Sequence, residues 1–76
     1  MKEIMQQLIE IINKALPAVN TEKVTMDSDL RTDLAIDSFN MILLAITIEE
    51  HFNIKLDEHF TPKSVRDVCE YISGTV

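Results

Sequence analysis

Asp37-Ser38-Phe39-Asn40-Met41-Ile42-Leu43-Leu44-Ala45-Ile46-Thr47-Ile48-Glu49-Glu50-His51-Phe52 is the stretch that decides how this chain is organised. No glycine or proline interrupts it, and it opens on Asp-Ser, two residue types that favour a helix start. It reads as one helix over about 38–52. With about 100° between successive residues, Met41, Ile42, Ala45, Ile48 and Phe52 share one face, which is expected to turn inward. Asn40, Thr47, Glu50 and His51 share the other. Leu43 falls within that polar face and Leu44 at its edge, either as plain exposed apolar residues or as contacts for a docking partner.

Ser38 carries the chemical interest. A serine in the first turn of a helix, directly after an aspartate, is a candidate attachment point for a phosphate-linked group. The free N–H groups and the positive dipole end of the helix favour a phosphodiester there. Asp37 and Ser38 also read, more simply, as an ordinary helix cap. The residues alone leave both readings open.

Outward from this helix the chain stays helical in character, with one glycine, Gly74, and two prolines, Pro17 and Pro62. Ile4, Leu8, Ile11, Ile12 and Ala15 recur at helical spacing, and Pro17 stops that first helix at about residue 16. Residues 18–37 form a long connection. Val19, Val24, Met26, Leu30, Leu34 and Ile36 can pin it across the helices, so it is expected to be ordered. Beyond the central helix, Asn53-Ile54-Lys55-Leu56 breaks the pattern and returns two apolar groups to the core. Residues 57–60 read as a short turn of helix. A last helix starts near Ser64, where Ser64-Val65-Arg66-Asp67 has capping-box spacing, and Gly74 is expected to end it. The fold class predicted is all-α: a small four-helix bundle, three main helices plus one short one, with a long ordered loop between the first and second, in a single domain over 1–76.

The chain has 76 residues and a net charge of −6. Eight acids and only two bases lie between Asp27 and Glu58, which accounts for the whole excess. Acidity concentrated around Ser38 would steer basic partners and repel nucleic acid; the plainer reading is that it merely aids solubility. No run approaches the roughly 20 apolar residues of a membrane span. The start, Met1-Lys2-Glu3-Ile4, lacks the features of a secretory signal, and the single cysteine permits no internal disulfide. A cytoplasmic, monomeric protein is the expectation.

Other candidate chemistry reads weakly. Cys69 lies on the apolar stripe of the last helix, as a small buried hydrophobe would. His51 and His59 flank a predicted break and form no triad-like arrangement. Asp27-x-Asp29, with Asp33 and Asp37 beyond, suggests calcium, but the hand-type loop needs a glycine where Thr32 stands and a glutamate where Ser38 stands. No catalytic residue and no metal site is expected.

Asp33-Leu34-Ala35-Ile36-Asp37-Ser38-Phe39, followed by Ile48-Glu49-Glu50-His51-Phe52-Asn53-Ile54-Lys55-Leu56, resembles the acyl carrier protein family. That family shows a D-L-G-x-D-S-L signature and a helix ending in E-E-x-F-x-I-x-I/L. Val24 to Leu30 looks like its loop segment and Ser64 to Ile72 like its closing helix, so the resemblance spans nearly the whole chain. It implies a carrier, not an enzyme. A phosphopantetheinyl transferase would use coenzyme A to place 4′-phosphopantetheine on Ser38, with Asp37 as the recognised neighbour. The arm would hold acyl groups as thioesters for enzymes of fatty acid, polyketide or related specialised biosynthesis. The second helix would face the basic docking surfaces of those enzymes through Phe39, Asn40, Leu43, Leu44, Thr47, Glu49 and Glu50. Ile42, Ala45, Ile48 and Phe52 are candidates to line a space for the acyl chain. Ala35 departs from the usual glycine, Phe39 from leucine, and Asn40 and Leu43 from acids, which makes the docking helix greasier than in the housekeeping fatty acid carriers. The alternative is an unmodified acidic helical module that binds a protein partner through the second helix.

Overall fold

Each of the three apolar periods becomes a helix in the computed structural model, which describes residues 2–75: α1 (Lys2–Ala15), α2 (Ser38–Phe52) and α3 (Val65–Thr75). Among the described residues there is no strand, only an isolated bridge between Asp29 and Ser64. α1 buries Leu8, Ile11 and Ile12, the stripe its spacing predicts. α3 buries Val65, Val68, Cys69 and Ile72 on an equally clean stripe. Its capping box forms in full. The Ser64 hydroxyl accepts from the Asp67 N–H (3.2 Å), and the Asp67 carboxylate accepts from the N–H groups of Ser64 (3.3 Å) and Lys63 (2.9 Å).

Two expectations about the chain's last third need correction. Where a fourth, short helix is expected, residues 57–60 make a single turn closed by the Phe60 N–H on the Asp57 carbonyl (2.9 Å). The Tyr71 hydroxyl accepts from the Asp57 N–H (2.9 Å), and the Tyr71 and Phe60 rings stack 4.3 Å apart, so side chains of α3 hold the turn in place. Gly74 does not end α3, which continues to Thr75. The Thr75 hydroxyl donates to the Tyr71 carbonyl (2.9 Å).

Residues 16–37 join α1 to α2 and are tied down at many points. Leu16, Leu30, Leu34 and Ile36 are buried, and Val19, Val24 and Met26 pack against the core. The backbone of this connection pairs with the start of α3: Leu30 N–H to the Lys63 carbonyl (2.9 Å), Val65 N–H to Ser28 (3.0 Å) and Arg66 N–H to Met26 (2.8 Å). Those bonds satisfy groups that a buried loop would otherwise leave unpaired. The aspartates have local work. The Asp29 carboxylate accepts from the N–H groups of Arg31 (2.8 Å) and Thr32 (2.9 Å), and Asp33 accepts from the Asp29 N–H (2.7 Å). No acidic or histidine cluster able to hold a metal occurs among the described residues.

Backbone donors from Thr32 and Arg31 hold the Asp29 carboxyl below the ordinary carboxylate range, and those of Lys63 and Ser64 do the same for Asp67. A lowered folded value means the unfolded chain takes up protons more readily. The stabilisation is therefore complete above the unfolded value near pH 4 and is lost as pH falls through the lower folded value. The melting temperature is expected to stay level between about pH 7 and pH 5 and to fall below about pH 4. Asp67→Asn should flatten part of that fall. A melting temperature that does not change on acidification contradicts this account.

α2 sits differently from its neighbours because it is apolar around most of its circumference. It buries Leu44 and Ile48, each 2% exposed, with Met41 and Phe52 packed against the core. Ile42, expected inside, is 62% exposed, and Leu44, expected at the partner surface, is core. α1 packs against both other helices, while α2 and α3 stay apart. Asn53 ends α2 in the left-handed conformation (φ 54°), which asparagine tolerates. Its N–H and that of Ile54 both turn back to the Glu49 carbonyl.

Candidate functional site

Ser38 occupies the first position of α2, and its side chain is exposed. Asp37 is the cap: extended in backbone (φ −83°, ψ 179°), it accepts the Asn40 N–H on its carboxylate (2.8 Å). The helix is thus closed by Asp37 and not by Ser38, whose hydroxyl is left for other work. The bond it does make was not foreseen in the sequence: Arg31 donates from Nη2 to the Ser38 Oγ at 3.2 Å. The available signal was that Arg31 is one of only two bases in the acidic segment.

The approach to Ser38 depends on Ala35. Leu34 and Ile36 are both buried, and the chain reverses between them with Ala35 at φ 56°. The Ile36 N–H then reaches the Leu30 carbonyl (2.9 Å). A left-handed backbone costs an L-residue with a Cβ about 1–2 kcal/mol, and glycine avoids most of that. The glycine of the acyl carrier signature thus has a physical role here, which alanine fills under strain. Ala35→Gly is expected to raise stability by about 0.5 kcal/mol after glycine's greater unfolded-state entropy is deducted. A lower urea midpoint for that variant argues against the strain.

Between α2 and the connection over 56–62, with Val68 of α3 also lining it, lies an open groove of about 530 Å³ beside Ser38. Ser38 and Arg31 lie on its wall, and Leu44, Ile48 and Val68 are among its buried lining. Met41, Ala45, Leu56 and Phe60 add to the apolar surface, and Asp57 and Glu58 supply acidic groups. Of the residues expected to line an acyl-chain space, Ile42, Ala45 and Ile48 do border this groove. Phe52 does not: it packs against the core and edge-on to His51.

Next to the groove, and sharing Ile42 with it, α2 presents Phe39 (75% exposed), Ile42, Leu43 and Ile46 at i, i+3, i+4, i+7, an apolar stripe open to solvent. Glu50 is exposed nearby, whereas Asn40 is half-buried. Thr47 is half-buried too and donates its hydroxyl to the Leu43 carbonyl (2.9 Å). Glu49 is not a free rim carboxylate: it accepts the Leu56 N–H (2.8 Å) and pins the backbone as it returns after α2. Cys69 is fully buried, and burial pushes its thiol above its usual value, so it stays protonated and inert at neutral pH. His51 Nε2 pairs with the Gln7 side chain (3.1 Å) at the surface, and His59 is exposed.

The sequence matches the family model for the phosphopantetheine attachment site over residues 6–72. The chain belongs to the acyl carrier protein family. It is 35% identical to an acyl carrier protein of Cylindrotheca sp., across the whole of this chain and 96% of the relative. It is 35% identical to one of Phytoplasma mali, over 96% of this chain and 88% of the relative. Likeness to one of Coprothermobacter proteolyticus is 34%, over 99% and 93%. Acyl carrier proteins are carriers and not enzymes. They bear 4′-phosphopantetheine and work with acyl-processing enzymes. The geometry suits such a group: an exposed hydroxyl at a helix start, a cation against it and an apolar groove alongside. No helix among the described residues is long and apolar enough to cross a membrane.

Proposed function

We propose that Ser38 bears the 4′-phosphopantetheine arm and that residues 1–76 act as one acyl-carrier domain, monomeric and cytoplasmic, for a specialised acyl pathway. The observation that carries this reading is the exposed Ser38 hydroxyl at the start of α2, with the capping duty taken by Asp37. The attached arm supplies a thiol that holds an acyl group as a thioester and brings it to each enzyme at high effective concentration. The chain's own residues do the rest. Asp37 fixes the first turn so that the serine projects outward. The groove lined by Ala45, Ile48 and Leu44 offers apolar shelter to an acyl chain. Incubation with coenzyme A and a broad-specificity phosphopantetheinyl transferase tests the assignment. The intact mass should rise by one arm, and peptide mapping should place it on Ser38. An arm on any other residue, or no mass gain, overturns it.

The docking surface is the exposed stripe of Phe39, Ile42, Leu43 and Ile46, flanked by Glu50. The stripe supplies apolar contact, and the acidic field around it speeds encounter with basic partners such as the transferase. This composition suits dedicated partner enzymes with a partly apolar contact more than the partners of a general fatty acid carrier. Phe39→Ala is expected to raise the transferase KM about tenfold, in keeping with loss of an aromatic anchor, and to leave stability unchanged. Equal KM values for the two proteins would remove Phe39 from the interface.

A further inference from the structure

We propose that Arg31 is a positioning residue for the modified carrier: its guanidinium pairs with the anionic oxygens of the phosphodiester formed on Ser38. This rests on the Ser38 assignment and adds to it a residue outside the D-S signature. Arg31 Nη2 already lies 3.2 Å from the Ser38 Oγ, which would become the bridging ester oxygen of the phosphodiester. Among the described residues no carboxylate is within ion-pair distance of this guanidinium, although Asp29 and Asp33 are close in sequence. Their carboxylates are instead directed at backbone N–H groups, including that of Arg31 itself, which fixes the arginine's backbone next to α2. The result is a cation held within a strongly acidic segment and aimed at a neutral hydroxyl. A neutral oxygen is a poor match for a guanidinium, whereas a phosphodiester offers charge and two acceptors to its planar fork. The same pairing offsets the negative charge that modification adds to a region already carrying the whole excess of −6.

The test uses full-length apo and holo protein, as wild type, Arg31→Gln and Arg31→Lys, with intact mass confirming one arm in each holo sample. Guanidinium N–H groups of Arg31 should exchange with water about two- to fivefold more slowly in holo than in apo wild type, the range of an exposed ion pair. The ³¹P resonance of holo Arg31→Gln should be displaced from that of wild type, with Arg31→Lys between the two. Raising salt should move the wild-type resonance toward the Gln variant's position. If the mass shows the arm but exchange is unchanged, or the wild-type and Gln resonances coincide, the Arg31 proposal falls and the Ser38 assignment stands. If no arm is taken up by wild type, both fall together.

Discussion

Ser38→Ala is expected to leave the protein folded and wholly unable to accept 4′-phosphopantetheine. Both halves of that outcome follow from the geometry. The serine side chain is exposed and contributes nothing to the core, and its one side-chain bond is to an exposed arginine. The first-turn donor is capped by Asp37. Removal of the hydroxyl should therefore change stability by less than about 0.5 kcal/mol, as for most surface substitutions. The chemical effect is all-or-none, because alanine offers no oxygen to esterify. Intact mass after incubation with coenzyme A and transferase reads the loss, and a urea melt of the same sample reads the unchanged fold. Asp37→Ala is the useful contrast. It keeps the hydroxyl and removes the cap, at a cost of about 1 kcal/mol. Uptake of an arm by Ser38→Ala would show that attachment lies elsewhere in the chain.

Leu44→Ala should cost about 3 kcal/mol, whereas Ile42→Ala should cost less than about 0.5 kcal/mol. The two residues are near neighbours on the same helix, similar in size and apolarity. Leu44 is 2% exposed and Ile42 is 62% exposed, so only one truncation leaves a cavity. In a domain this small, with stability of roughly 5 kcal/mol, the Leu44 change removes most of the margin. Urea denaturation of the two variants side by side checks this. Equal losses would mean that α2 does not sit with Leu44 and Ile48 inward.

The contrast marks where sequence reading ends for this chain. α1 and α3 are polar on one side, so the period of their apolar residues selects a unique buried face, and Leu8, Ile12, Val68 and Ile72 lie where that period puts them. α2 has apolar residues on nearly every side. Rotating it slightly exchanges Ile42 for Leu44 with no change in pattern, and periodicity cannot choose between the two settings. The start of α2 was legible for the opposite reason: Asp37 caps by local bonds that depend on nothing distant. The capping box at Ser64 is local in the same way. The turn at 57–60 is not, since the Tyr71 hydroxyl and ring from α3 shape it. The family resemblance makes Glu49 a docking acid, yet its carboxylate is engaged by the returning backbone at Leu56, a contact invisible before the chain folds back.

Resemblance pointed to a carrier family; by itself the sequence determined three helices, the caps at Asp37 and Ser64, the stop near Pro17, the apolar anchors of the long connection and the acidic surround of Ser38. These rest on residue type and short-range spacing, which act before any tertiary contact forms. Tertiary structure alone decided which side of α2 is buried, that α2 and the connection over 56–62 leave a groove between them, and that Arg31 reaches Ser38 across seven residues. Each of those outcomes depends on how separate segments meet, and a helix that is greasy all round takes its orientation from its neighbours.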